Sequence, residues 1–226
     1  MKPLAALITA DLAAAADPGT AVGMQRYMKT TMPFLGVRAP AAQRIVREAV
    51  RTAGTTGWED LLREATHLWD AATHREHWYA AQQLTGYGSC SGRLEFLDLY
   101  ERMVIDGAWW DIVDNCHRRF GRLLRTHPDR LDPLLRGWAL DPNHWKRRTA
   151  IIAQLSSKSA TDVGLLEAAI LPNMSETDFF LRKGIGWALR EYAKTDAEWV
   201  RNFVGDHSGE LSGLSQREAL KHLQLR

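Results

Sequence analysis

A recurrence every 34 or 35 residues constrains this chain more than any other feature of it. Glu76-His77-Trp78-Tyr79 superimposes on Trp145-Lys146-Arg147-Arg148, on Phe180-Leu181-Arg182-Lys183 and on Leu214-Ser215-Gln216-Arg217, so that fourth positions fall at 79, 148, 183 and 217. Asp114 lies midway across the first gap, and Arg44 lies one step before Tyr79. The series then has steps of 35, 35, 34, 35 and 34. A fixed period of this length is the mark of stacked supersecondary units. A single two-helix unit cannot bury its apolar face alone, so its neighbours must cover it, which makes a continuous core and a curved solenoid.

The local pattern agrees with helical units. Apolar residues recur at helical spacing, and no alternating β-branched runs are separated by hairpin turns. Helices are expected over 3–16, 20–29, 41–53, 58–68, 73–87, 92–106, 109–126, 130–140, 143–156, 160–171, 176–194, 196–206 and 214–224. Short punctuation separates them: Asp17-Pro18-Gly19, Gly88-Ser89, Gly107, His127-Pro128, Asp141-Pro142 and Pro172-Asn173. The stretch 30–40, with two prolines and a glycine, reads as a loop. A period near 35 matches the tetratricopeptide length, but that family's tryptophan-leucine-glycine signature is missing, and HEAT-like repeats fit better. The expectation is an all-α, HEAT-like solenoid forming a single domain over 1–226.

Composition removes several function classes. No run of about 18 uncharged apolar residues exists, so a spanning helix is not expected. The N-terminus, Met1-Lys2-Pro3-Leu4, soon meets Asp11 and lacks a long apolar core, so no secretion signal is expected. Cys90 and Cys116 stand alone, with no CxxC pair, and read as reduced thiols of a cytoplasmic protein. The net charge of +2 does not demand a nucleic-acid partner. Any such surface must come from the arrangement of charge.

Equivalent positions in a solenoid face the same way, and the row reads Arg44, Tyr79, Asp114, Arg148, Lys183, Arg217. Four of these six are cationic, and Arg118, Arg119, Arg147, Arg182 and Arg190 lie close by. A basic concave surface would track a phosphate backbone. A solvated helix face with ordinary charges would give the same spacing, and the row alone leaves both readings open.

One carboxylate, Asp114, interrupts the basic row. Trp110 precedes it by four residues and shares its helix face, while Trp187 follows Lys183 by four. The nine tryptophans, roughly three times ordinary usage, make exposed indole faces plausible here. Of the adjacent pair Trp109-Trp110, faces about 100° apart, Trp109 is assigned to the core. No Ser-His-Asp set, phosphate-binding glycine loop or partnered nucleophilic cysteine is evident, and no cofactor is implied. His74 and His77 at i,i+3, with Asp70 four residues before, lack a third convergent ligand, so no metal site is assigned. His117, beside Asp114, reads as a polar helix residue rather than a base. What the set can do is stabilise positive charge, through a carboxylate and through indole faces.

The chain resembles the AlkD-type DNA alkylation-repair glycosylases over almost its whole length. The resemblance is carried by Arg26-Tyr27-Met28-Lys29, Phe34-Leu35-Gly36-Val37, Trp109-Trp110-Asp111-Ile112-Val113-Asp114, residues 185–194 (Ile185-Gly186-Trp187 to Lys194) and Leu214-Ser215-Gln216-Arg217-Glu218-Ala219. It implies a C-shaped stack whose concave face grips duplex DNA. It further implies excision of 3-methyladenine, 7-methylguanine and related cationic adducts without turning the damaged nucleotide into a pocket. By the same resemblance Asp114 is the catalytic carboxylate, and Trp110 and Trp187 contact deoxyribose at the lesion. Arg148 holds backbone phosphate and helps orient the site, with Tyr27 and Arg190 as further DNA contacts. A monomer acting on double-stranded DNA, with no membrane partner, is expected. The alternatives are a non-catalytic module binding branched or distorted DNA, and a protein-binding helical scaffold.

Overall fold

The computed structural model describes residues 3–55 and 57–223. These contain thirteen α-helices and four short 3-10 turns, with no strand among the described residues. They fall into two compact units, Met1–Leu99 and Tyr100–Arg226. The first unit holds α1 (Leu4–Ala14), α2 (Pro18–Met28), α3 (Ala39–Ala53), α4 (Trp58–Asp70) and α5 (Arg75–Leu84). The boundary falls within α6 (Leu97–Gly107). The second unit continues with α7 (Trp110–Thr126), α8 (Pro128–Trp138), α9 (His144–Ile152), α10 (Val163–Ile170), α11 (Phe179–Tyr192), α12 (Ala197–Asp206) and α13 (Gly213–Ala219).

The 35-residue step is the length of one helix pair. In the second unit α7 packs on α9, α9 on α11 and α11 on α13, while α8, α10 and α12 lie beside them. Positions 114, 148, 183 and 217 therefore sit on four successive helices of one row. In the first unit α3 and α5, which carry Arg44 and Tyr79, also pack together. The core of the second unit is built from Ile112, Phe120, Leu123, Leu131, Leu135 and Ile151, all fully buried. Each contributes about 1.5–3 kcal/mol over its exposed state.

Helices α2, α3 and α8 each begin two residues before the sequence expectation, at Pro18, Ala39 and Pro128. Asp17-Pro18 and His127-Pro128 read as breakers, yet both are starts. Asp17 accepts from the Gly19 and Thr20 amides, and Pro18 opens α2. Pro128 likewise opens α8. Proline has no amide hydrogen to lose in a first turn, so it belongs there. Side chains of Asn143, Asp162, Asp178, Asp196 and Ser212 cap α9 to α13 in the same manner. Such a cap is worth about 1 kcal/mol. The expected segment 214–224 is helical only to Ala219, and its last position lies outside the described residues.

In the first unit Glu76 is fully buried, and its carboxylate accepts from the amides of Leu35, Gly36 and Val37. Gly36 has φ +89°, and a Cβ there would stand 2.0 Å from the Asp17 carbonyl oxygen. The Phe34–Val37 motif is thus a glycine-dependent turn pinned by a buried acid. Of the two histidines at i,i+3, His77 accepts from the Thr73 amide at Nδ1.

Candidate active site

The second unit carries an open cleft of about 300 Å³ lined by Trp110, Asp114, Arg148, Phe179, Phe180, Lys183, Trp187, Arg190 and Glu218. Its position follows from the start of α7. A Cβ on Gly107 would come within 2.6 Å of Ile112 Cγ2, so only glycine allows α6 to end this close to α7. Ala108 then adopts φ +36° and Trp109 is extended, so that Trp110 opens α7 and Asp114 follows one turn later. The Trp109 ring meets Trp145 at 6.0 Å and Phe180 at 5.2 Å, and Trp145 meets Phe180 at 5.0 Å. Three aromatic rings therefore tie together the N-terminal ends of α7, α9 and α11. Trp109 has the packing role assigned to it, although it is half-buried and its buried Nε1 has no acceptor.

Asp114 and Arg148 form a bidentate pair, Nε to Oδ1 at 2.7 Å and Nη2 to Oδ2 at 2.8 Å. Nη1 donates to the Phe180 carbonyl. Arg148 is 4% exposed, while the Asp114 side chain retains 20%. Each Asp114 oxygen accepts one N–H and keeps lone-pair capacity on the cleft side. Three of the five guanidinium N–H groups are thus engaged within the protein, and Arg148 is buried. A Cβ on Gly184 would stand 3.1 Å from Arg148 Nη1, so this glycine makes the seat of the guanidinium.

His117 stands behind the carboxylate. Its Nδ1 lies 2.5 Å from the Asp114 backbone oxygen, which only accepts, so Nδ1 carries the proton. Nε2 is 3.5 Å from the Ser156 hydroxyl, and the ring packs edge-on to Trp187 at 6.0 Å. Burial pushes the imidazole pKa below its usual value, partly offset by the bond to the Asp114 carbonyl. A neutral ring therefore buttresses Trp187.

Lys183, Trp187 and Arg190 occupy one face of α11. Opposite them, Glu218 from α13 accepts from Arg190 Nη1 at 2.8 Å and stands 3.4 Å from Lys183 Nζ. The sequence register pointed to Arg217, which is exposed and does not line the cleft; its neighbour Glu218 does. One residue on a helix turns the side chain by about 100°, and the short α13 takes that shift. Phe179, 55% exposed, and Phe180 were also missed: Phe179 lies outside the repeated segment, and Phe180 opens it three residues before the cationic position. Of the other cations, Arg147 pairs with Glu176, Arg182 donates to the Glu176 carbonyl and Arg119 to the Asn115 carbonyl. In the first unit Tyr27 is 74% exposed on α2 and Arg44 is exposed on α3.

Gly186 explains how α13 comes so near. A Cβ there would meet Glu218 Cβ at 2.5 Å and the Ser215 carbonyl oxygen at 3.0 Å. The Ser215 hydroxyl also donates to the Arg182 carbonyl at 3.0 Å. Gly186→Ala is expected to lower stability. The helix-propensity gain of about 1 kcal/mol is outweighed by an overpacking cost of about 1–3 kcal/mol against backbone that cannot rotate away. Thermal unfolding measures the balance, and a raised melting temperature would show that α13 is free to shift.

Comparison with known proteins agrees in fold and family. Residues 8–223 match the family of DNA alkylation repair enzymes. A solved structure described as a predicted DNA alkylation repair enzyme from Enterococcus faecalis is similar at 33% identity and a TM-score of 0.82, over 93% of this chain and 98% of that one. No curated protein sequence matches. Among the described residues no helix is long and apolar enough to cross a membrane.

Proposed function

The chain belongs to the family of DNA alkylation repair enzymes, and on that premise we propose that it is a monofunctional DNA glycosylase that excises cationic alkylated purines from duplex DNA. One observation carries the reading. An anchored carboxylate, Asp114, lines an open cleft together with two indoles, Trp110 and Trp187.

Cleavage of the bond between C1′ and the base nitrogen builds oxocarbenium character on the sugar. Asp114 opposes that charge from a fixed position, and the faces of Trp110 and Trp187 add cation–π stabilisation. The bond breaks with its electron pair passing to the base. A 3-methyladenine or 7-methylguanine already carries positive charge and leaves neutral, without protonation. The free capacity of Asp114 orients a water whose oxygen bonds to C1′ and whose proton passes to solvent. An intact abasic strand results. Lys183 and Arg190 serve the backbone phosphates, with Arg44, Arg217 and Tyr27 as outlying contacts. The cleft is open and shallow beside the enclosed pockets that take an extruded base, which favours a duplex read without flipping.

The test is direct. Purified protein should release 7-methylguanine from methylated duplex under single-turnover conditions and leave the strand unbroken. Hypoxanthine, a neutral lesion, should be released at least a hundredfold more slowly, since a neutral base must gain a proton as it departs and a cationic one need not. Equal rates on the two lesions would defeat the mechanism. Duplex binding without release of either base would favour the non-catalytic alternative.

A further inference from the structure

Glu218 has no place in the chemistry above, yet the fold takes trouble to hold it. Its Cβ rests against Gly186, where any side chain would displace it. Ser212 caps α13 two turns earlier, and Ser215 ties the same helix to α11. The carboxylate is thereby fixed between Lys183 and Arg190, which lie two turns apart on α11, one oxygen toward each. Glu218 is 17% exposed, Arg190 21% and Lys183 39%, so all three retain access to the cleft. A carboxylate that bridges two cations has the charge and the spread of acceptors of a phosphodiester.

Resting on the functional reading above, we propose that Glu218 is a resident competitor: in the DNA-free protein it fills the seat between Lys183 and Arg190 that a backbone phosphate takes in the complex. The cleft lining holds three cations, Arg148, Lys183 and Arg190, against two carboxylates. Asp114 already neutralises Arg148. With Glu218 in place, the remaining pair attracts a phosphate only weakly, and the protein does not lodge on undamaged duplex. Glu218 acts through Lys183 and Arg190 and is a positioning residue.

The experiment measures equilibrium binding of wild type, Glu218→Gln and Glu218→Asp to one undamaged duplex over a salt series. Glu218→Gln keeps the shape and removes the charge. It should bind about tenfold more tightly at low salt, and its log–log salt slope should steepen by about 0.9, one additional counterion released. Glu218→Asp retains the charge and should stay near wild type. The Lys183→Gln background is the control for an effect at a distance, and there the gain from Glu218→Gln should shrink to a few-fold at most. Weaker binding by Glu218→Gln with an unsteepened slope would overturn the proposal and make Glu218 a simple buttress of α13. A lowered melting temperature would not disturb the test, because the slope is read on the folded fraction. Failure of wild type to bind any duplex at low salt would instead remove the DNA reading, which separates the two outcomes.

Discussion

Asp114→Asn should lose about a hundred- to a thousandfold in single-turnover release of 7-methylguanine while binding undamaged duplex at least as well as wild type. The rate figure follows from one preorganised charged group contributing about 3–4 kcal/mol to the transition state. Binding does not suffer, because the substitution removes a negative group from the surface proposed to meet phosphate. The pair with Arg148 complicates the substitution. Asparagine can accept from one guanidinium nitrogen and must turn its own amide away from the other, so a buried cation loses its counter-charge. A fall in melting temperature is therefore expected beside the fall in rate. The two effects separate when release is measured well below the variant's transition. Near-normal release by a folded Asp114→Asn would remove Asp114 from the chemistry, whatever the melting temperature did.

Much of this site is legible in the residues themselves. A single acid in a row of cations stands out, and Trp110 four residues before it must share its face. The 35-residue step places 114, 148 and 183 on alternate helices, α7, α9 and α11, because one step is one helix pair. What period and spacing cannot convey is how a charged side chain is spent. Arg148 and Arg44 look alike in the row, yet one is buried on a carboxylate and the other is exposed. The difference comes from Gly184, which opens room beneath one guanidinium, and a glycine inside a helix carries no label saying what fills its space. Glu218 escaped for a related reason. The repeat register is exact only while helices keep one rotation, and α13 is turned by one residue. Gly186 and Gly184 together were the available signal: two glycines in a helix interior cost about 1 kcal/mol each relative to alanine, and such positions mark close approaches. The starts at Pro18 and Pro128 were misread because a proline that breaks one helix also opens the next.

Arg148→Ala decides between two roles for the most buried cation of the cleft. If Arg148 held a phosphate, its loss would lower the log–log salt slope of duplex binding by roughly one unit. Its geometry leads to a different expectation. Nε and Nη2 grip both oxygens of Asp114, and Nη1 serves the Phe180 carbonyl. Removing the guanidinium leaves a carboxylate short of its partner and a carbonyl short of its donor. Breaking one side of a buried pair costs about 3–5 kcal/mol. Partial solvation of Asp114 through the open cleft places this case at the lower end, about 3 kcal/mol. For a chain of this size that is a drop of roughly 6–12 °C in melting temperature. The freed Asp114 side chain then samples several rotamers, and release of 7-methylguanine should fall about as far as in Asp114→Asn. The salt slope should stay within a few tenths of wild type. Arg148→Lys is the sharper companion: an ammonium restores the charge but cannot span two carboxylate oxygens and a carbonyl. It should recover part of the stability and little of the rate. A salt slope lowered by one unit with an unchanged melting temperature would return Arg148 to the phosphate backbone.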